Sequence, residues 1–115
     1  VSEVNGKRSI CGETYTASKG AVDTLTKNIA IRLCETNIRC NAIAPGVTET
    51  PAAEAWASGA QPGGDKMLQY TARYTNTSLP ATKPIDQANA CLFLASDMGR
   101  CVKGQVLQVC NGAFL

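Results

Sequence analysis

Two short apolar runs, each preceded by a stretch of helical periodicity, constrain the fold of this chain more than any other feature. The first is Ile38-Arg39-Cys40-Asn41-Ala42-Ile43-Ala44, stopped by Pro45-Gly46. The second is Gln105-Val106-Leu107-Gln108-Val109-Cys110, opened by Gly104 and closed by the turn pair Asn111-Gly112. Ahead of the first run, apolar residues fall at Val22, Leu25, Ile29 and Leu33, with Ala21 and Ala30 beside them. That spacing predicts a helix over 15–35, with Thr14 as its cap. Ahead of the second, Pro84 opens a helix whose expected apolar side is Ala88, Cys91, Leu92 and Ala95. Helix, strand, helix, strand in that order implies an α/β fold with parallel strands joined by helical crossovers.

The rest of the chain reads as connections. Residues 1–14 are loop-like, with a turn at Asn5-Gly6, and residues 47–82 form a long stretch of polar and small residues. Within it, 52–57 could form a short helix, and Gln61-Pro62-Gly63-Gly64 must break any helix. A loop of this size, about 51–82, suggests a functional lid. Trp56, Met67 and Tyr70 could line a pocket under it, or equally pack the lid against itself. Two short strands and two helices make a thin core, and parallel strands normally need neighbours and covered faces. The 115 residues therefore read as a single partial domain, and an opening at Val1 rather than methionine agrees with a partial sequence.

Composition narrows the partners. Hydrophobic content of 44% and charged content of 17% suit a folded soluble protein. A net charge of +2, from scattered Lys and Arg, gives no reason to expect nucleic acid. No apolar run nears the ~18 residues of a membrane span, and no leader pattern opens the chain. Six cysteines, at 11, 34, 40, 91, 101 and 110, include no C-x-x-C pair, and there is no histidine to complete a zinc site. They read as reduced thiols of a cytoplasmic protein, with Cys40 and Cys91 placed like core residues and no metal site expected. Arg39 and Lys83 read as solvated.

With no histidine, acid–base chemistry must fall to other groups, and Tyr15 with Lys19 is the best pair on offer. Four residues apart, they share one helical face. A cation fixed beside the phenol would lower its pKa and make it a usable proton donor and acceptor. The plainer alternative is a helix-start tyrosine and a solvated lysine.

Taken together, Tyr15-x-x-x-Lys19, Ile38-Arg39-x-Asn41-x-Ile43-x-Pro45-Gly46-Val47-x-x-Thr50 and Gly104-Gln105-Val106-Leu107 resemble the carboxyl-terminal half of a short-chain dehydrogenase/reductase. The resemblance runs through nearly the whole chain. It implies the carboxyl-terminal part of a doubly wound Rossmann fold, with the amino-terminal half missing. It also implies hydride transfer between NAD or NADP and a small-molecule alcohol or carbonyl. By the same resemblance, residues 15–35 are the catalytic helix, 38–50 the cofactor-side strand and loop, and 84–110 the last helix and strand. Tyr15 would be the acid/base, and Lys19 would depress its pKa and bond the nicotinamide ribose. A family serine thirteen residues before the tyrosine is matched by Ser2, whereas alignment on Gly6 puts that place at Glu3; the spacing favours Ser2. Pro45 and Gly46 would let backbone approach the nicotinamide. Val47 and Thr48 would bond its carboxamide through main-chain groups and Thr50 through its hydroxyl, although a helix cap before Pro51 is an equal reading of Thr50. Thr48 stands where an aliphatic residue is more usual.

Two departures from the family pattern bear on function. The glycine-rich turn that holds a pyrophosphate is absent from the sequence, and Cys110-Asn111-Gly112 replaces Asp-Gly-Gly. The expected function is an NAD(P)-dependent oxidoreductase, inactive as this piece alone and a homodimer or homotetramer at full length. The rival expectation is a truncated, non-catalytic remnant serving as an interaction module through the unpaired edge of its first strand.

Overall fold

The sheet is built on a strand that is buried almost end to end: β1, Ala42–Pro45, with Ala42, Ile43 and Ala44 all in the core. In the computed structural model, which describes residues 1–4, 11–58, 70 and 72–115, β1 pairs in parallel with β2, Val106–Val109. The register runs from Ala42 opposite Val106 to Pro45 opposite Val109. Asn41 sets that register, because its side-chain amide donates to the Val102 carbonyl (2.8 Å) and accepts the Gln105 N–H (2.9 Å). The expected strand over 38–44 is thus shorter and shifted, with residues 38–41 given to capping and clamping. The Asn5-Gly6 turn, the Gln61-Pro62-Gly63-Gly64 break, Met67 and the Trp56 side chain lie outside the described residues.

Residues 1–4 occupy the other edge of β1. Ser2 N–H donates to the Ile43 carbonyl (2.9 Å) and Val4 N–H to the Pro45 carbonyl (3.1 Å), a two-residue stagger on both sides that marks parallel pairing. The edge expected to be open is therefore taken along this stretch. Val4 then packs with Cys110, Ala113 and Phe114 in the core cluster.

Helix α1, Glu13–Arg32, begins one residue after Gly12 and carries no side-chain cap. Thr14 lies inside its first turn instead of capping it. Glu13 in the first turn and Arg32 in the last oppose the helix dipole favourably. The buried positions are Thr26 and Ala30, while Leu25 is 56% exposed, so the inward face is rotated from the one the apolar residues suggest. Thr26 tolerates burial because its hydroxyl donates to the Val22 carbonyl (2.8 Å).

After β1 comes α2, Pro51–Ala57, and later α3, Pro84–Ala95. Pro84 sits in the first turn of α3, and the Asp86 carboxylate accepts the Lys83 N–H at 2.7 Å. The face of α3 that meets the sheet holds Gln87, Ala90 and Leu94, an i, i+3, i+7 row. Ala88, Cys91, Leu92 and Ala95, expected inside, are exposed. Arg39, expected in solvent, closes the carboxyl end of α3. Its guanidinium donates to the carbonyls of Leu94, Gly99 (3.0 Å), Ala95 (3.2 Å) and Ser96 (3.3 Å). All six cysteines are free thiols; Cys110 is buried, Cys40 half-buried and Cys91 exposed, so Cys91 is no core residue. No helix among the described residues is long and apolar enough to cross a membrane.

Candidate active site

The pairing of residues 1–4 with β1 fixes where the site can be. It carries the chain out at the carboxyl end of the sheet, the end where the loop after Pro45 also leaves. Ligands of open α/β sheets bind beyond the carboxyl ends of the strands. From there the chain enters α1, which presents Tyr15 and Lys19 one turn apart. The Lys19 ammonium stands over the Tyr15 ring, 5.4 Å from its centroid, and the phenol is 44% exposed.

The electrostatics of Tyr15 reverse the sequence expectation. Its pKa is raised, first by partial burial, then by the Glu3 carboxylate and the Cys11 thiol. The ammonium does not offset this, because it faces the ring instead of the phenolic oxygen. Burial and the Glu3 charge likewise push the Cys11 thiol up. Glu3 is thus the local anion felt by both groups, an influence that reading Tyr15 and Lys19 as an isolated pair misses. Its signal in the sequence was the alignment on Gly6, which places Glu3 at the family's serine position.

Ser2 is 1% exposed, and its hydroxyl donates to the main-chain carbonyls of Lys19 (3.4 Å) and Glu3 (3.5 Å). The structure therefore brings Ser2 to the helix that bears the pair, through main chain.

In the loop, Gly46 has a packing reason for its missing side chain. A Cβ there would lie 2.6 Å from the Cys110 Cβ and 3.2 Å from the Phe114 ring. The close approach that glycine permits is to the turn after β2, where Asn111 and Gly112 both take positive φ. Gly46 N–H itself donates to the Val109 carbonyl (2.9 Å). Val47 is 51% exposed. Thr48 makes a parallel bridge with Thr82, and their hydroxyls are 3.0 Å apart. The Thr50 hydroxyl accepts the Ala53 N–H (3.2 Å), a capping bond that leaves its own O–H to donate. The groups that could face the nicotinamide end of a dinucleotide are the half-buried Lys19, Tyr15, the exposed Val47 and the O–H of Thr50. A cavity of about 410 Å³ bounded by Arg39, Asn41, Ile43, Cys91 and Ala95 lies at the opposite end of β1 and contains none of these residues.

A parallel sheet with a glycine loop at its carboxyl end, flanked by a helix bearing Tyr-x-x-x-Lys, defines a class of oxidoreductase, and the chain belongs to the short-chain dehydrogenase/reductase family. Residues 2–113 match the family described as Enoyl-(Acyl carrier protein) reductase. The chain is 40% identical over 101 residues to 3beta-hydroxysteroid dehydrogenase 2 of Eggerthella lenta, covering 88% of this chain and 37% of that protein. It is 40% identical over 120 residues to the 3-oxoacyl-acyl-carrier-protein reductase of Thermotoga maritima, covering 100% of this chain and 44% of the other. Among solved structures, 7 alpha-hydroxysteroid dehydrogenase complexed with NADH and 7-oxo glycochenodeoxycholic acid superposes with a TM-score of 0.72 at 32% identity. That match covers 98% of this chain and 42% of the solved one, so the chain spans about two-fifths of the length of these relatives.

Proposed function

We propose that the protein carrying this chain is an NAD(P)-dependent oxidoreductase that interconverts a small-molecule alcohol and carbonyl, with Tyr15 as the acid/base. The observation that supports it best is the Tyr15 and Lys19 pair, 5.4 Å apart from ammonium to ring centroid, on a helix whose Lys19 carbonyl meets Ser2 beside β1. When bound, a nicotinamide dinucleotide supplies the hydride donor or acceptor. The phenol, whose pKa burial and Glu3 raise, exchanges its proton with the substrate oxygen. Lys19 approaches the nicotinamide ribose, and the main chain at Val47 and Thr48 receives the carboxamide. Pro45 and Gly46 set the course of that loop. Ser2 enters this reading, as the residue that would orient the substrate oxygen, through its spacing alone: its hydroxyl is buried and donates to the Lys19 carbonyl.

The hydroxysteroid dehydrogenases among the relatives make steroid alcohols and ketones the first substrates to assay. A cytoplasmic homodimer or homotetramer is the assembly this reading carries with it. In the intact protein, Tyr15→Phe should lower turnover by about a thousandfold or more while dinucleotide affinity stays within about twofold. Lys19→Ala should weaken both. Retained turnover in Tyr15→Phe removes Tyr15 from the mechanism. An intact protein that turns over no substrate with either cofactor would favour the interaction-module reading.

A further inference from the structure

Thr48 carries a hydroxyl into a half-buried place, and three polar neighbours receive it. Its Oγ1 is 3.0 Å from the Thr82 hydroxyl and 3.1 Å from the Gly46 carbonyl. Thr82, itself buried, donates to the Val47 carbonyl twice, from its N–H (3.0 Å) and from its hydroxyl (3.0 Å). Behind both threonines stands Gln87, from the first turns of α3. Its amide nitrogen reaches the Thr82 hydroxyl (2.9 Å), the Val109 carbonyl (3.0 Å) and, at longer range, the Thr48 hydroxyl (3.5 Å). That Val109 carbonyl is the one that accepts Gly46 N–H. One side-chain amide thus touches three supports of the loop at 46–50.

We propose that Gln87 is a positioning residue for this loop, holding Gly46, Val47 and Thr48 in place through Val109, Thr82 and a shared hydroxyl network. What the loop is held for, receiving the nicotinamide, rests on the function proposed above; the mechanical tie does not.

The cost of using glutamine here argues for its donors. The Gln87 side-chain oxygen is buried and has no hydrogen-bond partner among the described residues. An unmet buried acceptor is a penalty that leucine of similar size would not carry. Glutamine at 87 is therefore poorly explained as a core residue and well explained by what its nitrogen holds. Replacing it by leucine removes the penalty together with the bonds, so global stability should change little while the loop loosens.

Amide hydrogen exchange in the intact protein separates these effects. Glu49 N–H donates to the Thr82 carbonyl (2.9 Å) and Thr82 N–H to the Val47 carbonyl, so both report on the loop, while Ser96 N–H at the far end of α3 reports on the helix. In Gln87→Leu, exchange at Glu49 and Thr82 should quicken about tenfold, and at Ser96 less than about twofold. Unchanged exchange at Glu49 and Thr82, or an equal rise at Ser96, overturns the positioning role. Should the leucine variant not fold, Gln87→Met, also without donors, is read by the same criteria. Titration of the wild-type intact protein with NADH and NADPH is read separately. Failure to bind either removes the nicotinamide reading, and the exchange result alone decides the role of Gln87.

Discussion

Tyr15 shows how far a residue's chemistry depends on neighbours that sequence spacing does not display. Lys19 one turn away suggested a lowered pKa, and the structure raises it, because burial first and then Glu3 act on the phenol while the ammonium lies over the ring. The sign of the consequence is definite. A phenol whose pKa is raised in the folded state holds its proton more tightly there than in the unfolded chain. Its stabilising contribution is complete below the ordinary phenol range and is lost as pH climbs through the folded value above that range. Glu3→Gln should therefore lower the Tyr15 midpoint. Tyrosinate absorbance, with Tyr15→Phe as the blank for Tyr70 and Tyr74, measures it. A midpoint that stays put when Glu3 is neutralised would mean that burial and the Cys11 thiol set the phenol without Glu3.

At the scale of elements, the parts of the fold that were legible are those fixed by local chemistry. Pro84 announces the start of α3, Asn111-Gly112 takes the left-handed turn its residues favour, and the order of elements implies the parallel pairing that β1 and β2 show. Faces were harder. In α1, Leu25 and Thr26 are adjacent, and hydropathy alone puts the leucine inside; the structure buries the threonine because its hydroxyl is satisfied within the helix. In α3 the apolar residues surround the helix, so periodicity could not choose the face that Gln87 and Leu94 present to the sheet. The polar supports of the candidate site, Thr82 and Gln87, were hidden for the same reason: their partners are distant in sequence. Their one trace was Thr48, a hydroxyl in a place that usually takes an aliphatic side chain. Arg39 is the clearest case of a long-range role. It satisfies the carbonyls of Leu94, Ala95, Ser96 and Gly99 across more than 50 residues of chain. Arg39→Ala should cost about 2 kcal/mol in denaturant unfolding, and Arg39→Lys should recover only part of it, since one ammonium with three N–H groups cannot serve four carbonyls as the forked guanidinium does. Equal stability of the alanine variant and wild type would show that water caps these carbonyls as well.

For the molecule as a whole, Tyr15, Lys19 and the loop at 46–50 are carried by a sheet with two paired strands and a short flanking stretch at 1–4. On α3, Leu92 (62% exposed) and Cys91 are exposed, and Leu25 and Ile31 stand exposed on α1. These 115 residues thus combine candidate chemistry with incompletely covered apolar faces and a sequence that holds no glycine-rich phosphate turn. Most of the affinity for a dinucleotide comes from anchoring its pyrophosphate at a helix amino terminus through such a turn. The contacts that Lys19 and the loop at 46–50 can make address only the nicotinamide end. Calorimetric titration of the 115-residue chain with NADH and NADPH should therefore find affinity no better than about 1 mM, roughly −4 kcal/mol. Micromolar binding by the chain alone would mean that the loop at 46–50 and α1 hold the cofactor by contacts other than a phosphate turn, and Lys19→Ala, which removes the cation over Tyr15, would then be the variant to lose it.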